Sequence, residues 1–220
     1  MPRRAAARTD TKVRSDGCLG AAEFGGQMAQ KWKQTRERGE PAGLLLLDID
    51  GLHELNQTYG HDDGDRVINA TIGSLAKAAK AESWLLGRLG GDEFALFAPK
   101  LTTETAFLRA ETLRREVDSA IAKASPRARC TVSIGVASSP RDAKSPDDLM
   151  RKADLALYAA KDQGGAAVAL TPSDDMILKS SYYSSAQLGR LKALAERQKK
   201  KEAVLLREAL DDLLRKHERS

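Results

Sequence analysis

Four carboxylates fall into two short stretches of this 220-residue chain. Asp48 and Asp50 close the run Gly43-Leu44-Leu45-Leu46-Leu47-Asp48-Ile49-Asp50. Asp92 and Glu93 interrupt Arg88-Leu89-Gly90-Gly91-Asp92-Glu93-Phe94-Ala95-Leu96-Phe97. An apolar strand has no use for acids at its end, whereas a cation does. If the two runs are neighbouring strands, Asp48 and Asp92 converge at one sheet edge. Paired carboxylates that hold Mg²⁺ against phosphate oxygens serve phosphoryl or nucleotidyl transfer. Glu93 follows Asp92, and adjacent residues of a strand face opposite ways, so it shares the cation only if the turn bends locally. Two other readings are a solvated acidic edge and a calcium loop. A calcium loop needs oxygen ligands past Asp50 and a closing Glu at the twelfth position, and Leu52 and Tyr59 fill those places.

The elements that must position these acids are legible in the same residues. Gly90-Gly91 between apolar runs predicts a β-hairpin whose turn needs permissive backbone. Four successive leucines, Leu44 to Leu47, suit a strand buried on both faces. A helix over Leu19 to Arg38 follows from Leu19, Phe24, Met28 and Trp32 at helical spacing. A short helix is predicted over Leu52 to Tyr59, and a longer one over Asp62 to Ala79 with Ile68, Ile72, Leu75 and Ala79 as its stripe. After the hairpin come a helix from Thr103 to about Lys123 and a strand from Arg129 to Ala137. A helix over Pro146 to Asp162 is capped by Ser145, with Asp147 and Asp148 in its first turn, and Gly165 to Leu170 closes the sheet. From Gly43 onward the order is βααββαβαβ, an α/β palm-like arrangement of a central sheet flanked by helices.

Bulk properties narrow the function classes. Apolar residues at 41% suffice for a packed core, and aromatics at 5% argue against a base-stacking platform. Cys18 and Cys130 are far apart in sequence and belong to no metal-spaced cluster, which suits thiols in a reducing compartment. The sequence has no transmembrane-length apolar run and no signal-peptide core, so a cytoplasmic protein without a membrane partner is expected. Charge is uneven along the chain. Residues 176–220 carry 11 Lys/Arg against 6 Asp/Glu and residues 1–14 carry 5 against 1, while residues 15–175 carry 20 against 24. A polyanion would therefore meet the ends. The expected organisation is a flexible basic arm (1–16), the acid-bearing domain (17–171), a linker (172–175) and a C-terminal module (176–220).

Gly90 to Phe94 spell the signature of the GGDEF family, the diguanylate cyclases that condense two GTP into cyclic di-GMP. Asp48-Ile49-Asp50 with Asn56 and then Tyr59-Gly60-His61-Asp62-Asp63-Gly64-Asp65 resemble its DxD…N…GHxxGD block. Thr131-Val132-Ser133-Ile134-Gly135-Val136 and Ala153-Asp154-Leu155-Ala156-Leu157-Tyr158-Ala159-Ala160-Lys161 match two later blocks. The resemblance runs from about Leu19 to Leu170 and implies the family's palm-like fold. It also implies Mg²⁺ (or Mn²⁺) held by Asp48, Asp92 and the carbonyl of Ile49, with Glu93 helping to bind metal or to activate the attacking 3′-hydroxyl. Guanine selection falls to Asn56 and Asp65, since a carboxylate can accept from the N1–H and N2 amine of guanine. Asp65 could instead cap the helix that follows it, and His61 is read as holding its loop. Lys161 and Arg88 are implied catalytic groups, and Gly91, Leu52 and His53 border the substrate.

Four departures stand out. The family's Arg in the tail A-K-x-x-G-R falls on Gly165, and its Phe-Lys after the DxD block becomes Leu52-His53. The entrance box D-x-L-T-G-L-x-N-R keeps only its outline in Asp16 to Glu23. The product-inhibition motif R-x-x-D is replaced by Ala81-Glu82-Ser83-Trp84.

The C-terminal segment resembles a ribbon-helix-helix DNA-binding module. A short stretch, Lys179-Ser180-Ser181-Tyr182-Tyr183, would be the ribbon strand, with Ser184 capping a helix that bears Leu188, Leu191, Leu194 and Ala195. A second helix bears Leu206, Ala209, Leu210, Leu213 and Leu214. Such a module pairs two chains, and Lys179, Ser180, Ser181, Tyr182, Lys199, Lys200 and Lys201 are its implied DNA contacts. A plain helical hairpin that only dimerises is the other reading. For the whole chain, two functions are open: a homodimeric diguanylate cyclase coupled to a DNA-binding tail, or a guanine-nucleotide-responsive regulator whose signature domain turns over weakly or not at all.

Overall fold

The computed structural model describes residues 17–171, 181–198, 200 and 202–217, the side chains of residues 211 and 215 excepted. The chain divides into two compact units, Met1–Asp175 and Met176–Ser220. The first unit contains β1 (Leu19–Gly20), α1 (Ala21–Glu37), β2 (Ala42–Asp50), α2 (Leu52–Tyr59), α3 (His61–Glu82), β3 (Leu85–Arg88), β4 (Glu93–Pro99), α4 (Thr103–Ala124), β5 (Thr131–Ser139), α5 (Pro146–Asp162) and β6 (Val168–Leu170).

Among the described residues its strands form one sheet in the order β1-β3-β4-β2-β5-β6. The central strand β2 is antiparallel to both β4 and β5, while β1 runs parallel to β3 and β6 parallel to β5. Both faces of β2 are covered, which accounts for its unbroken leucines. Leu45, Leu47 and Ile49 join Leu75 of α3 and Leu113 and Val117 of α4 in one core. Leu44 and Leu46 join Phe24 and Trp32 of α1 and Leu149 and Ala153 of α5 in the other. Each such leucine contributes roughly 1.5–3 kcal/mol by its burial. Asp48 is in phase with Leu44 and Leu46 and is itself buried, so its carboxylate lies on the α1/α5 side.

Close approach of α5 to the sheet depends on Gly135. A Cβ there would stand 2.1 Å from the Leu157 backbone nitrogen and 2.3 Å from the Ala153 oxygen. Ser145 caps α5 as its position predicts, its Oγ accepting from Asp148 N at 3.1 Å. Cys18 and Cys130 are free and buried, and burial pushes the Cys130 thiol up to about 11, which suits an inert thiol.

The structure departs from the sequence expectation at the first helix. Leu19 and Gly20 pair with Gly87 and Arg88 as a strand, and the helix starts only at Ala21. The open edge of β3 offers ladder partners that a helical spacing count cannot see. The second unit contains α6 (Ser185–Gln198) and α7 (Glu202–His217). Ser184 caps α6 reciprocally: Gln187 N donates to Ser184 Oγ at 3.2 Å and Ser184 N donates to Gln187 Oε1 at 2.9 Å.

Candidate active site

The strand register decides which acids meet. Asp48 of β2 lies directly opposite Glu93 of β4 on one side and Ser133 of β5 on the other. Paired residues of an antiparallel ladder share a face, so Glu93, and not only Asp92, is brought to Asp48. Asp92 belongs to the turn before β4, where its carbonyl accepts from Ile49 N at 3.3 Å. The two acids after the glycines therefore reach Asp48 by different routes: Glu93 by register and Asp92 by the turn. Ile49's side chain is in the core, leaving only its carbonyl for any site role.

The hairpin turn is closed by Leu89 N and Gly90 N donating to Glu93 O at 2.9 and 3.4 Å. Neither Gly90 nor Gly91 takes a positive φ, so the permissive backbone expected at this turn is not left-handed. A Cβ at Gly90 would lie 3.2 Å from Glu93 Oε2, a tight approach that the carboxylate would have to ease, whereas the corresponding point at Gly91 is open. Arg88 donates to Gly91 O from Nε at 3.2 Å and from the guanidinium terminus at 2.6 Å, and its cation lies 5.7 Å from the Phe94 ring centre. These contacts make Arg88 a brace of the turn.

Lys161, in the last turn of α5, reaches across to Asp48 with Nζ 2.6 Å from Oδ1. The Asp48 carboxyl is held above the ordinary carboxylate range, chiefly by burial. Lys161 opposes that shift, and Asp92 and Glu93 add to it by repulsion. Among the described residues no three His, Cys, Asp or Glu side chains form a closed metal cage. The donors at hand still fit a hard divalent cation. They are all oxygens, they repel one another, and Mg²⁺ is commonly held by one or two carboxylates with the remainder supplied by water and substrate phosphates.

On the other face, α2 and α3 frame a second part of the site. Asn56 Oδ1 is buried without a hydrogen-bond partner, and a Cβ at Gly64 would stand 2.0 Å from it. Gly64 thus leaves room for the Asn56 amide, a role that sequence reading missed because no local pattern joins the two residues. Asp65 lies one residue further and is exposed. It is not a helix cap, because α3 begins at His61 behind Gly60. Its neighbour Asp63 is the structural acid of this block. Arg66 bonds it at 2.8 Å and Ser125 at 2.9 Å, and these contacts, the Arg66 bond first, hold its carboxyl below the usual range.

Leu52 is buried in the core, while His53 is exposed and bonded to Gln57 at 2.9 Å. Gly165, where the family has Arg, adopts φ +77, and a Cβ there would lie 3.2 Å from the Asp50 carboxylate. Trp84, in the place of the inhibitory motif's Asp, is buried. In the second unit, Ser181 and Tyr182 lie outside any strand and are exposed. Lys200 is paired with Glu208 at 2.6 Å, and Lys179, Ser180, Lys199 and Lys201 lie outside the described residues.

Comparison with known proteins agrees with this architecture. Residues 22–167 match the family described as diguanylate cyclase, GGDEF domain. The chain is 34% identical over 146 residues to the response regulator PleD of Caulobacter vibrioides, covering 65% of this chain and 32% of PleD. It is 40% identical over 135 residues to an uncharacterised protein of Mycobacterium tuberculosis, covering 61% of this chain and 22% of that one. It therefore spans roughly a fifth to a third of these relatives. The GGDEF domain of DgcB from Caulobacter crescentus, solved in complex with c-di-GMP, superposes with a TM-score of 0.65 at 29% identity, covering 78% of this chain and all of that one. On its sheet order, its signature turn and a family match over most of its length, this chain belongs to the GGDEF diguanylate cyclase family.

Proposed function

We propose that the protein is a diguanylate cyclase that condenses two GTP into cyclic di-GMP and two pyrophosphates. The observation that carries this reading is the convergence of Asp48, Glu93 and Lys161 at one end of the sheet. In each of two steps the 3′-hydroxyl of one GTP attacks the α-phosphate of the other. A P–O bond forms, the bond to pyrophosphate breaks, and the hydroxyl proton leaves. A divalent ion, Mg²⁺ or Mn²⁺, would be held by Asp48, Asp92, Glu93 and the Ile49 carbonyl, and would supply charge neutralisation at the phosphates. Glu93 would help to hold that ion or accept the hydroxyl proton, and Lys161 would offer its ammonium to phosphate oxygens. The first N–H groups of α2, behind Gly51 at φ +75, have no intrahelical partners and suit the phosphate chain. The partnerless Asn56 oxygen can accept from a guanine N–H, and the exposed Asp65 can accept from the same base edge. Incubation with GTP or ATP and Mg²⁺, followed by chromatography, tests the reading: cyclic di-GMP from GTP alone supports it, and equal use of ATP contradicts it.

Because each chain holds one GTP, the enzyme works as a homodimer. The C-terminal unit is suited to join two chains. Of its described side chains only Ala195 and Leu205 are buried, while Leu188, Leu206, Leu210, Leu213 and Leu214 are 37–55% exposed. Two helices cannot bury such faces alone. The finer reading, supported by the basic tail and its resemblance, is a ribbon-helix-helix that binds DNA. Its ribbon would form only on pairing, consistent with Ser181 to Tyr183 having no strand partner among the described residues. A gel shift that weakens steeply with salt and is lost on removing residues 176–220 supports DNA binding. A shift retained by the truncated chain refutes it. A cytoplasmic site of action fits the substrate, and among the described residues no helix is long and apolar enough to cross a membrane. One observation favours the alternative of a slow or inactive nucleotide-responsive regulator: Gly165 supplies no cation where the family has Arg.

A further inference from the structure

Asp50 lies two residues from Asp48 on the same face of β2. Its carboxylate is bonded to three residues. Oδ2 accepts from Thr131 Oγ1 at 3.0 Å, from Ser133 Oγ at 2.9 Å and from Ala166 N at 3.0 Å, and Oδ1 accepts again from Ser133 Oγ at 2.9 Å. Thr131 and Ser133 are the β5 partners of Asp50 and Asp48. Ala166 belongs to a different element, the link from α5 to β6.

That link is held in an unusual backbone. Gly164, Gly165 and Ala166 take φ of 114, 77 and 52 in succession, and Ala166 is a residue that enters the left-handed region only when its surroundings hold it there. Gly164 N donates to Lys161 O at 3.1 Å and Gly165 N to Ala160 O at 3.3 Å. The bonds close a ring. It runs from Asp48 through the Lys161 ammonium to the Lys161 carbonyl, along Gly164 to Ala166, and through Asp50 back to β2.

From this ring we infer that Asp50 is a positioning residue, which sets the reach of Lys161 by latching the α5–β6 link to the end of β2. A lysine side chain is long and flexible, so where its ammonium stands depends on where its backbone is held, and small displacements at a reacting centre are costly. The link lies beside the carboxylate: a Cβ at Gly165, whose φ is +77, would stand 3.2 Å from Asp50. The inference rests on the cyclase reading for what Lys161 acts upon, but the latch itself can be observed without turnover.

The test is a double-mutant cycle on the full chain, with GTP affinity and turnover measured for Asp50→Ala, Lys161→Ala and the pair. Asp50→Ala should weaken GTP use by about tenfold, the order of one charge-assisted contact. In the Lys161→Ala background the same change should add nothing. Asp50→Asn keeps an oxygen that can accept from Ala166 N and should restore activity to within about threefold. A loss that simply adds to that of Lys161→Ala overturns the inference, as does failure of Asn to rescue. Should Asp50→Ala not fold, Asp50→Ser, whose hydroxyl is too short to hold the link, enters the same cycle. Hydrogen exchange at the Ala166 amide separates the two claims. It should accelerate in Asp50→Ala whether or not the protein turns over GTP, and unchanged exchange overturns the latch. A wild type that makes no product overturns the cyclase reading instead.

Discussion

Replacing Gly64 with alanine isolates the base-recognition half of the site. The added methyl would stand 2.0 Å from Asn56 Oδ1 and 2.9 Å from its amide carbon, far inside contact distance, so the amide must turn away. Gly64 lies within α3 and has no positive φ. Alanine there gains about 0.5–1 kcal/mol of helix stability over glycine. Moving the amide costs little that the protein itself uses, since Oδ1 has no partner to lose. Stability should therefore hold or rise slightly. Nucleotide binding should suffer by the worth of one hydrogen bond, about 0.5–1.5 kcal/mol, or roughly two- to twelvefold in Kd. The assay is calorimetric titration with a non-reacting GTP analogue, alongside a thermal melt, for Gly64→Ala, Asn56→Ala and the double variant. The double variant should bind no worse than Asn56→Ala. A Gly64→Ala protein that binds the analogue as tightly as wild type refutes the role given to Asn56.

Further outcomes follow from the same geometry. Asp92→Ala should abolish turnover with the melting temperature nearly unchanged, because Asp92 sits in a turn and its structural bond is made by its backbone. Gly135→Ala should destabilise by about 1–3 kcal/mol or more in a melt, because the methyl meets the backbone of α5, which cannot turn aside. The pH–rate profile should show its acid limb above the ordinary aspartate range. Burial raises Asp48, so its proton persists to higher pH and competes with the cation, and more Mg²⁺ should be needed as pH falls. Lys161→Met removes the ammonium that opposes this shift and should move the limb further up. Calorimetry should find no tight cyclic di-GMP site away from the active site, as Ala81 and the buried Trp84 cannot make the bonds of the inhibitory motif.

What could be read from sequence was what repeats locally. The four leucines of β2, the stripe of α3 and the Ser145 cap of α5 each satisfy a rule that spans a few residues, and all three stand as read. The pairing of Asp48 with the hairpin acids was legible because both runs end in acids. Which acid lies opposite was not, because register depends on where the turn closes, and it closes so that Glu93 pairs with Asp48. β1 was hidden for a related reason: two residues become a strand only because β3 presents an edge. Gly64 and Asp50 were illegible in another way. Their roles are contacts made to Asn56, Thr131, Ser133 and Ala166, and no spacing rule joins residue 50 to residue 166.

Mass analysis of the nucleotide product, with pyrophosphate measured in the same reaction with Mg²⁺, tests whether this site joins two GTP molecules. A cyclic dinucleotide should form with one pyrophosphate released per GTP consumed, and both signals should be lost in Asp48→Asn and Glu93→Gln. Inorganic phosphate and GDP in place of pyrophosphate, or product formation that survives both substitutions, would contradict the cyclase reading.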